Sequence, residues 1–320
     1  MTKGRTRASP TRHDAPVAPQ ITMGDNHAMK RNAPLPQSPS PRRRNLIFAT
    51  LDTLMAAGLL VGSGLLAYAA GVEPKWVEIT RLTLPIPGLP HQFQGYRIVH
   101  ISDLHAGKWL PTSRLDKALR LVNREDPDLV AITGDFVTYT YPEAPADVVP
   151  TLRHLRARDG VAAVLGNHDY WGLGSDLIRH IIAEAGMIDL NNDVHTIERD
   201  GALLHLAGVD SARERMARLD VTLRKLPKDG PAILLAHEPD FADISVATGR
   251  FSLQLSGHSH GGQVALPLLG PPRLPPMGKK YPAGLYNVNG MHLYTNRGLG
   301  VVGLPLRFLC RPEITVITLS

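Results

Sequence analysis

The sequence holds a single cysteine, Cys310, so no intramolecular disulfide framework is available and a stapled small scaffold is excluded. It leaves the compartment open. A basic domain surface is also lacking. Residues 1–44 carry nine Lys/Arg and two Asp/Glu, and the rest of the chain carries 26 against 27. The overall charge of +6 therefore belongs to the N-terminal tail, and no nucleic-acid partner is expected, since that would need a clustered basic face on the folded part. Met1 to Pro41 lacks apolar periodicity. Rich in Pro, Ser, Ala and charge, it buries too little surface to offset its ordering entropy, and residues 1–44 read as a disordered basic tail.

Charge is nearly absent from Leu46 to Val72, where Asp52 is the only charged residue. Leu54 to Val72 spans about 28 Å as a helix, close to the roughly 30 Å hydrocarbon core of a bilayer. Residues 45–72 are thus expected to form a transmembrane signal-anchor or export signal, with Asp52 near enough to the end to snorkel. Arg42, Arg43 and Arg44 on its N-terminal side favour an N-inside orientation, which puts residues 76–320 on the extracytoplasmic side. Arg43-Arg44-Asn45-Leu46-Ile47 also resembles a twin-arginine export signal, beside the simpler reading that any signal-anchor has basic flanks. Ala67-Tyr68-Ala69 fits a cleavage site, but the run is longer than a usual signal-peptide core, which favours an uncleaved anchor.

What is present beyond residue 76 is a series of short apolar strands, each ending in polar residues. Trp76 to Leu84 is an opening strand; Tyr96 to Ser102 is a buried one, closed by Asp103-Leu104-His105. Thr112 is expected to cap a helix burying Leu115, Ala118, Leu119 and Val122, and Pro127 ends it. Leu129 to Thr133 terminates in Gly134-Asp135. Asp147 opens a helix with Val149, Leu152 and Leu155 inward, and Val161 to Leu165 runs into Gly166-Asn167-His168-Asp169. Ser175 to Ala185 is helical, with Gly186 as its C-cap. Asp200-Gly201 and Asn289-Gly290 mark two hairpins. Ala232 to Ala236 ends at His237, Phe251 to Ser256 ends at Gly257-His258-Ser259-His260, and Glu313 to Leu319 is a final strand. Strand, ligand-type residues, helix: the repetition describes an α/β domain with its chemistry at the C-terminal strand ends.

Any one of these strand ends has an ordinary explanation, since Asp and Asn cap helices and loop histidines are commonly solvated. Five in succession do not share one. Five of the 14 histidines fall in these blocks; His91, His154, His180, His195, His205 and His292 do not.

The ordered set D-x-H, G-D, G-N-H-D, H and G-H-x-H, over roughly Tyr96 to Gly262, resembles the calcineurin-like metallophosphoesterase family. The resemblance implies a four-layer α/β/β/α sandwich of two mixed sheets. It also implies two divalent metal ions, with Asp103, His105 and His260 on the first, Asp135 bridging, and Asn167, His237 and His258 completing the second. Mixed N/O ligation suits Mn, Fe, Zn, Ni or Co, and the imidazole-rich set argues against Mg or Ca. Such a pair activates a bridging water for in-line attack on phosphorus. His168 resembles the family's acid and transition-state stabiliser, and Asp169 is expected to orient its imidazole.

Departures narrow the branch. The protein Ser/Thr phosphatase pattern has an arginine after its G-D and a Glu after G-N-H, and neither is present at Gly134 to Tyr139 or Asp169. The soluble lipid A pathway branch has Arg where His168 stands. D-L-H, G-N-H-D-Y-W, H-E-P-D and G-H-S-H-G-G-Q resemble the bacterial membrane-anchored branch, some members of which resemble UDP-2,3-diacylglucosamine hydrolases. The expected activity is hydrolysis of phosphoester or pyrophosphate bonds. The alternatives are a lipid pyrophosphohydrolase of that type and a non-catalytic, membrane-tethered metal-binding protein. Leu266 to Pro276 and Gly298 to Phe308 are apolar and poor in charge: either ordinary loop packing, or a rim that takes an acyl chain or rests on the bilayer. Arg273, Lys279, Lys280 and Arg297 are candidate phosphate contacts, and Tyr170 and Trp171 candidate stacking residues.

Overall fold

The computed structural model describes residues 40–138, 144–172 and 174–320. The chain divides into a unit ending at Ala56 and a second unit, Ala57–Ser320. Helix α1 (Pro41–Gly71) supplies the described part of the first unit and runs on into the second. At 1.5 Å per residue it is about 46 Å long. It begins at Pro41 and not at residue 45, consistent with the preference for proline in a first helical turn, so the arginine triplet is helical. The remainder of the tail read as disordered lies outside the described residues. Leu54, Leu59, Leu60, Leu65 and Leu66 are all exposed, and among the described residues this is the one helix long and apolar enough to cross a membrane.

The second unit continues through β1 (Glu78–Leu84), β2 (Arg97–Ile101), α2 (Thr112–Arg124), β3 (Leu129–Thr133), α3 (Ala144–Leu152), β4 (Val161–Val164), α4 (Ser175–Glu184) and β5 (Ile188–Asp189). It then runs through β6 (Asp193–Arg199), β7 (Ala202–Gly208), α5 (Leu219–Lys225), β8 (Ala232–Leu235), α6 (Ala242–Ser245), β9 (Leu253–Ser256), β10 (Gly284–Val288), β11 (Met291–Thr295) and β12 (Glu313–Leu319). Two six-stranded sheets result, ordered β1-β12-β2-β3-β4-β5 and β10-β11-β9-β8-β7-β6. Both are mixed. In the first, β2, β3, β4 and β5 run parallel while β12 pairs antiparallel with β2. In the second, β11, β9, β8 and β7 run parallel, with antiparallel β10 and β6 at the edges.

The alternation of side chains along each strand makes the layers. In β3, Leu129 and Ala131 face the second sheet, while Val130 and Ile132 face the helices. In β8, Ile233 and Leu235 face the first sheet, and Ala232 and Leu234 face α5 and α6. One core therefore lies between the sheets and one outside each of them, giving the four-layer α/β/β/α sandwich. α2 buries Leu115, Ala118, Leu119 and Val122 as its 3.6-residue spacing requires. Its N-cap is Pro111, however, and Thr112 is the first helical residue and makes no side-chain cap. α3 starts at Ala144, ahead of Asp147; Leu152 and Leu155 are buried and Val149 packs partly buried against the same core, with Val148 buried beside them. Asn289 and Gly290 both have positive φ, the conformation a two-residue hairpin of this type demands.

Leu255, fully buried between the sheets, tests this core. Leu255→Ala is expected to destabilise the protein by about 2–5 kcal/mol. Leu285→Ala, on the half-exposed face of β10, should change stability by no more than about 0.5 kcal/mol. Denaturant midpoints of the two variants check both.

Candidate metal centre

The parallel strands deliver all five polar blocks to one end of the sandwich. β2 delivers Asp103 and His105, β3 delivers Asp135, and β4 delivers Asn167 and His168, all from the first sheet; β8 and β9 deliver His237 and the His258/His260 pair from the second. The turns are tight and costly. Asp103, His105, Asp135, His258 and His260 all adopt positive φ, a region non-glycine residues rarely enter and one that clusters at functional sites. Glycine lets the blocks close on one another. A Cβ on Gly257 would lie 1.8 Å from Ser102 Oγ and 2.3 Å from Asp103 Oδ2, and one on Gly166 would lie 2.2 Å from Asp135 Oδ1.

Backbone and side chain then stitch the sheets together. The amides of Asp103 and His105 donate to the carbonyls of Gly134 and Asp135. The amide of His258 donates to Asp103 Oδ2 at 2.9 Å, across the sheets. His237 Nδ1 donates to the Thr133 carbonyl at 2.6 Å, which fixes the tautomer and turns the Nε2 lone pair inward. His258 Nε2 donates to the Pro276 carbonyl at 2.8 Å, leaving Nδ1 as its donor atom toward the centre.

Ligand atoms of Asp103, His105, Asp135 and His260 lie within 4.8 Å of one another, all buried. His260 Nε2 is 3.2 Å from Asp103 Oδ1 and 3.2 Å from His105 Nε2. Asp135 Oδ2 lies 3.4 Å from His105 Nε2 and 3.3 Å from His237 Nε2, between the two groups. The His237 and His258 rings stand 5.0 Å apart. Asn167 is fully buried with neither Oδ1 nor Nδ2 hydrogen-bonded, and His237 Nε2 also has no partner. Burying an amide unpaired costs several kcal/mol, so these atoms fit a coordinated cation.

The electrostatics agree with a cation site. Burial acts to raise Asp103, and the facing His260 overrides it and holds the carboxyl below the usual range. Burial pushes His105 down to about 3 despite Asp135, and it lowers His258, so both imidazoles present lone pairs. His237 differs: burial opposes its protonation, but Asp135 prevails and raises it. His168 stands at the edge of the group, its ring 4.9 Å from that of His105 and 4.4 Å from that of Trp171, and burial lowers it too.

Asp169 was expected to orient the His168 imidazole. Its carboxylate accepts from the backbone amides of Asp135 (2.9 Å), Phe136 (2.8 Å) and Gly166 (2.8 Å), and so it holds two metal-site turns in register. Burial, with Asp135 nearby, raises it to about 7.

A cavity of about 610 Å³ opens beside the centre, lined by His168, His258 and His260 on one side. Trp171, Arg213, Arg273 and Lys279 supply its polar wall, and Leu274, Val302, Leu304 and Leu306 its apolar one. Arg273 and Lys279 are thus where phosphate contacts were expected. Lys280 is paired with Asp243, and Arg297 with Glu78 and Glu313. Tyr170 packs against the helical core, leaving Trp171 as the cavity aromatic. Arg213 was not singled out in the sequence. It is set by Glu238, whose buried carboxylate takes the Ser211 hydroxyl and the amides of Ala212 and Arg213. No local signal marked it, because the residue that sets it lies 25 positions further along the chain.

A two-sheet sandwich whose strand ends gather carboxylates, imidazoles and an orphaned amide beside an open cavity is the design of a metal-dependent phosphoester hydrolase. The chain belongs to the calcineurin-like phosphoesterase family, whose sequence model matches residues 96–262. It is 38% identical over 271 residues to the uncharacterized metallophosphoesterase YkuE of Bacillus subtilis, covering 83% of this chain and 93% of that protein. Identity to the phosphodiesterase YaeI of Escherichia coli is 31%, covering 87% and 98%. A transmembrane protein with metallophosphoesterase domain from Danio rerio is 32% identical over 85% of this chain and 62% of its own length.

Gly257→Ala is expected to push Ser102 and Asp103 apart and lower bound metal per chain, measured by elemental analysis of purified protein. Chelation of the wild type should lower its melting temperature, because a ligand held by the native state alone stabilises that state.

Proposed function

We propose that the centre binds two divalent ions and hydrolyses phosphoester or pyrophosphate bonds. Asp103, His105 and His260 would hold the first ion and Asn167, His237 and His258 the second, with Asp135 available to both. The observation that carries this reading is Asp135 Oδ2, placed at nearly equal distance from an imidazole of each group. Two imidazoles on each ion favour Mn, Fe, Zn, Ni or Co. When bound, the ions supply Lewis-acid charge to the phosphoryl oxygens and lower the pKa of a shared water.

The chain's own residues do the rest. His168, at the junction of centre and cavity, stabilises the charge developing on the phosphoryl group and gives a proton to the leaving oxygen. Arg213, Arg273 and Lys279 orient the phosphate from the cavity wall. Asp169 acts through the backbone of the Asp135 turn, not on the substrate. We assign residues 76–320 as the catalytic domain and 45–72 as its membrane anchor. The arginine triplet supports placing the domain on the extracytoplasmic side, and twin-arginine export is consistent with a metal-loaded, folded passenger.

A second reading, a lipid-linked pyrophosphate as substrate, is favoured by the apolar wall formed by Leu274, Val302, Leu304 and Leu306. Equal rates on UDP-2,3-diacylglucosamine and on water-soluble diesters would count against it.

His168→Ala should lower turnover of bis(p-nitrophenyl) phosphate by about 10²–10⁴-fold with metal content unchanged. Asp135→Asn should lose both metal and activity while the circular dichroism spectrum is kept. Metal bound at two ions per chain with no turnover in the wild type would instead favour the non-catalytic metal-binding protein.

A further inference from the structure

Residues 266–270 form a small hairpin, the Leu266 and Gly270 backbones paired, with Pro267, Leu268 and Leu269 at its tip. Leu268 is 106% exposed and Leu269 82% exposed. Leu268 also has φ of +67°, so a bulky side chain is held outward in a backbone conformation that leucine rarely adopts. Singly exposed leucines are common, but an adjacent exposed pair at a loop tip, one of them strained, is not. Leu304 and Leu309, 70% and 58% exposed, lie in the neighbouring 304–309 loop.

The position of this tip decides what it meets. The last turn of α1 is tied to the same loop: the Arg307 amide donates to the Ala69 carbonyl at 2.9 Å, and Tyr68 packs edge-on to Phe308. The Phe308 carbonyl in turn accepts from the Ala265 amide at the base of the hairpin. Helix end, 304–309 loop and hairpin are therefore one continuous structure, and its Leu304 and Leu306 line the cavity. Around the helix end stand two half-exposed tryptophans, each with a cation over its ring: Trp76 with Arg311 at 3.6 Å and Trp109 with Lys108 at 4.9 Å. Arg114 ties this second group to the helix exit by donating to the carbonyls of Trp109 and Pro74. Tryptophan and basic residues beside an apolar helix are the chemistry of a membrane–water interface.

We propose that the 266–270 hairpin tip, with Leu304 and Leu309, inserts into the lipid bilayer beside the anchor helix, seating the cavity mouth at the membrane surface. The anchor then does more than tether. It fixes one edge of the catalytic unit, and the leucine tip fixes a second, so the unit is held in a set orientation. The docking is independent of the catalytic roles assigned above.

The test uses the full chain reconstituted in phosphatidylcholine–phosphatidylglycerol vesicles. Leu268→Cys is labelled with an environment-sensitive fluorophore, and Cys310, being buried, does not compete. Glu198→Cys is the comparison site, exposed on β6 near the Asp200-Gly201 turn, at the opposite end of its sheet from the metal centre. Nitroxide-bearing lipids should quench the label at 268 at least threefold more than at 198, and aqueous iodide should show the reverse. Equal iodide quenching at both sites overturns the proposal. So does shielding of 268 from both iodide and nitroxide lipids, which would mean that a second copy of the chain covers it. Hydrolysis of bis(p-nitrophenyl) phosphate by the same samples reads the catalytic assignment separately: loss of turnover with lipid quenching intact would leave the docking standing.

Discussion

One carboxylate oxygen lies between two imidazoles, and much of the molecule is arranged to keep it there. Asp135 sits in a left-handed turn between Gly134 and Phe136, at the end of β3. Its backbone is held by Asp169, its Oδ1 takes the His168 amide, and its Oδ2 faces imidazoles from both sheets. Concentrating negative charge and lone pairs without water is unfavourable for a folded chain unless a cation joins them. The site is therefore a place where stability is given up for chemistry, and the loss is recovered in the three apolar layers around it. The strained backbone at Asp103, His105, Asp135, His258 and His260 is part of the same cost.

Order along the chain was enough to read the strand ends. Each of the five blocks follows an apolar run, and donor-type residues at the ends of parallel strands converge whatever the details of the sheet. The hairpins at Asp200-Gly201 and Asn289-Gly290 were equally plain, because their turns demand those residues. What sequence did not reveal depends on contacts between distant segments. The two-residue β5 and the short α5 carry too little periodicity to stand out. The insertion of β12 between β1 and β2 is set by packing alone. Asp169 shows the limit most clearly: its neighbour His168 suggested an imidazole partner, and nothing in the sequence pointed to the three backbone amides that its carboxylate accepts from. Arg213 was silent for the same reason, since its position depends on Glu238, 25 residues away.

The cavity joins two chemistries that rarely share a wall. Its lining brings Arg213, Arg273 and Lys279 together with leucine, valine and proline. A pocket of this kind discriminates through its polar groups and adds affinity through its apolar surface. One stretch, 273–279, supplies both kinds of residue, while Arg213 comes from the segment that Glu238 holds on the second sheet.

The placement of β12 also bears on how the protein comes to be made. β1 and β2 flank it, so the first sheet has a gap until Glu313–Leu319 is available, more than 200 residues after β1 has been synthesised. Pairings of such sequence separation are slow to form and leave strand edges open in the meantime. Glu313 is part of this closure, because its buried carboxylate holds Tyr294 of the second sheet and Arg297 in the loop that follows. The sheet carrying Asp103 and Asp135 is thus completed by a strand that leaves the ribosome long after the apolar helix, so an early-emerging helix is followed by a late-maturing metal centre.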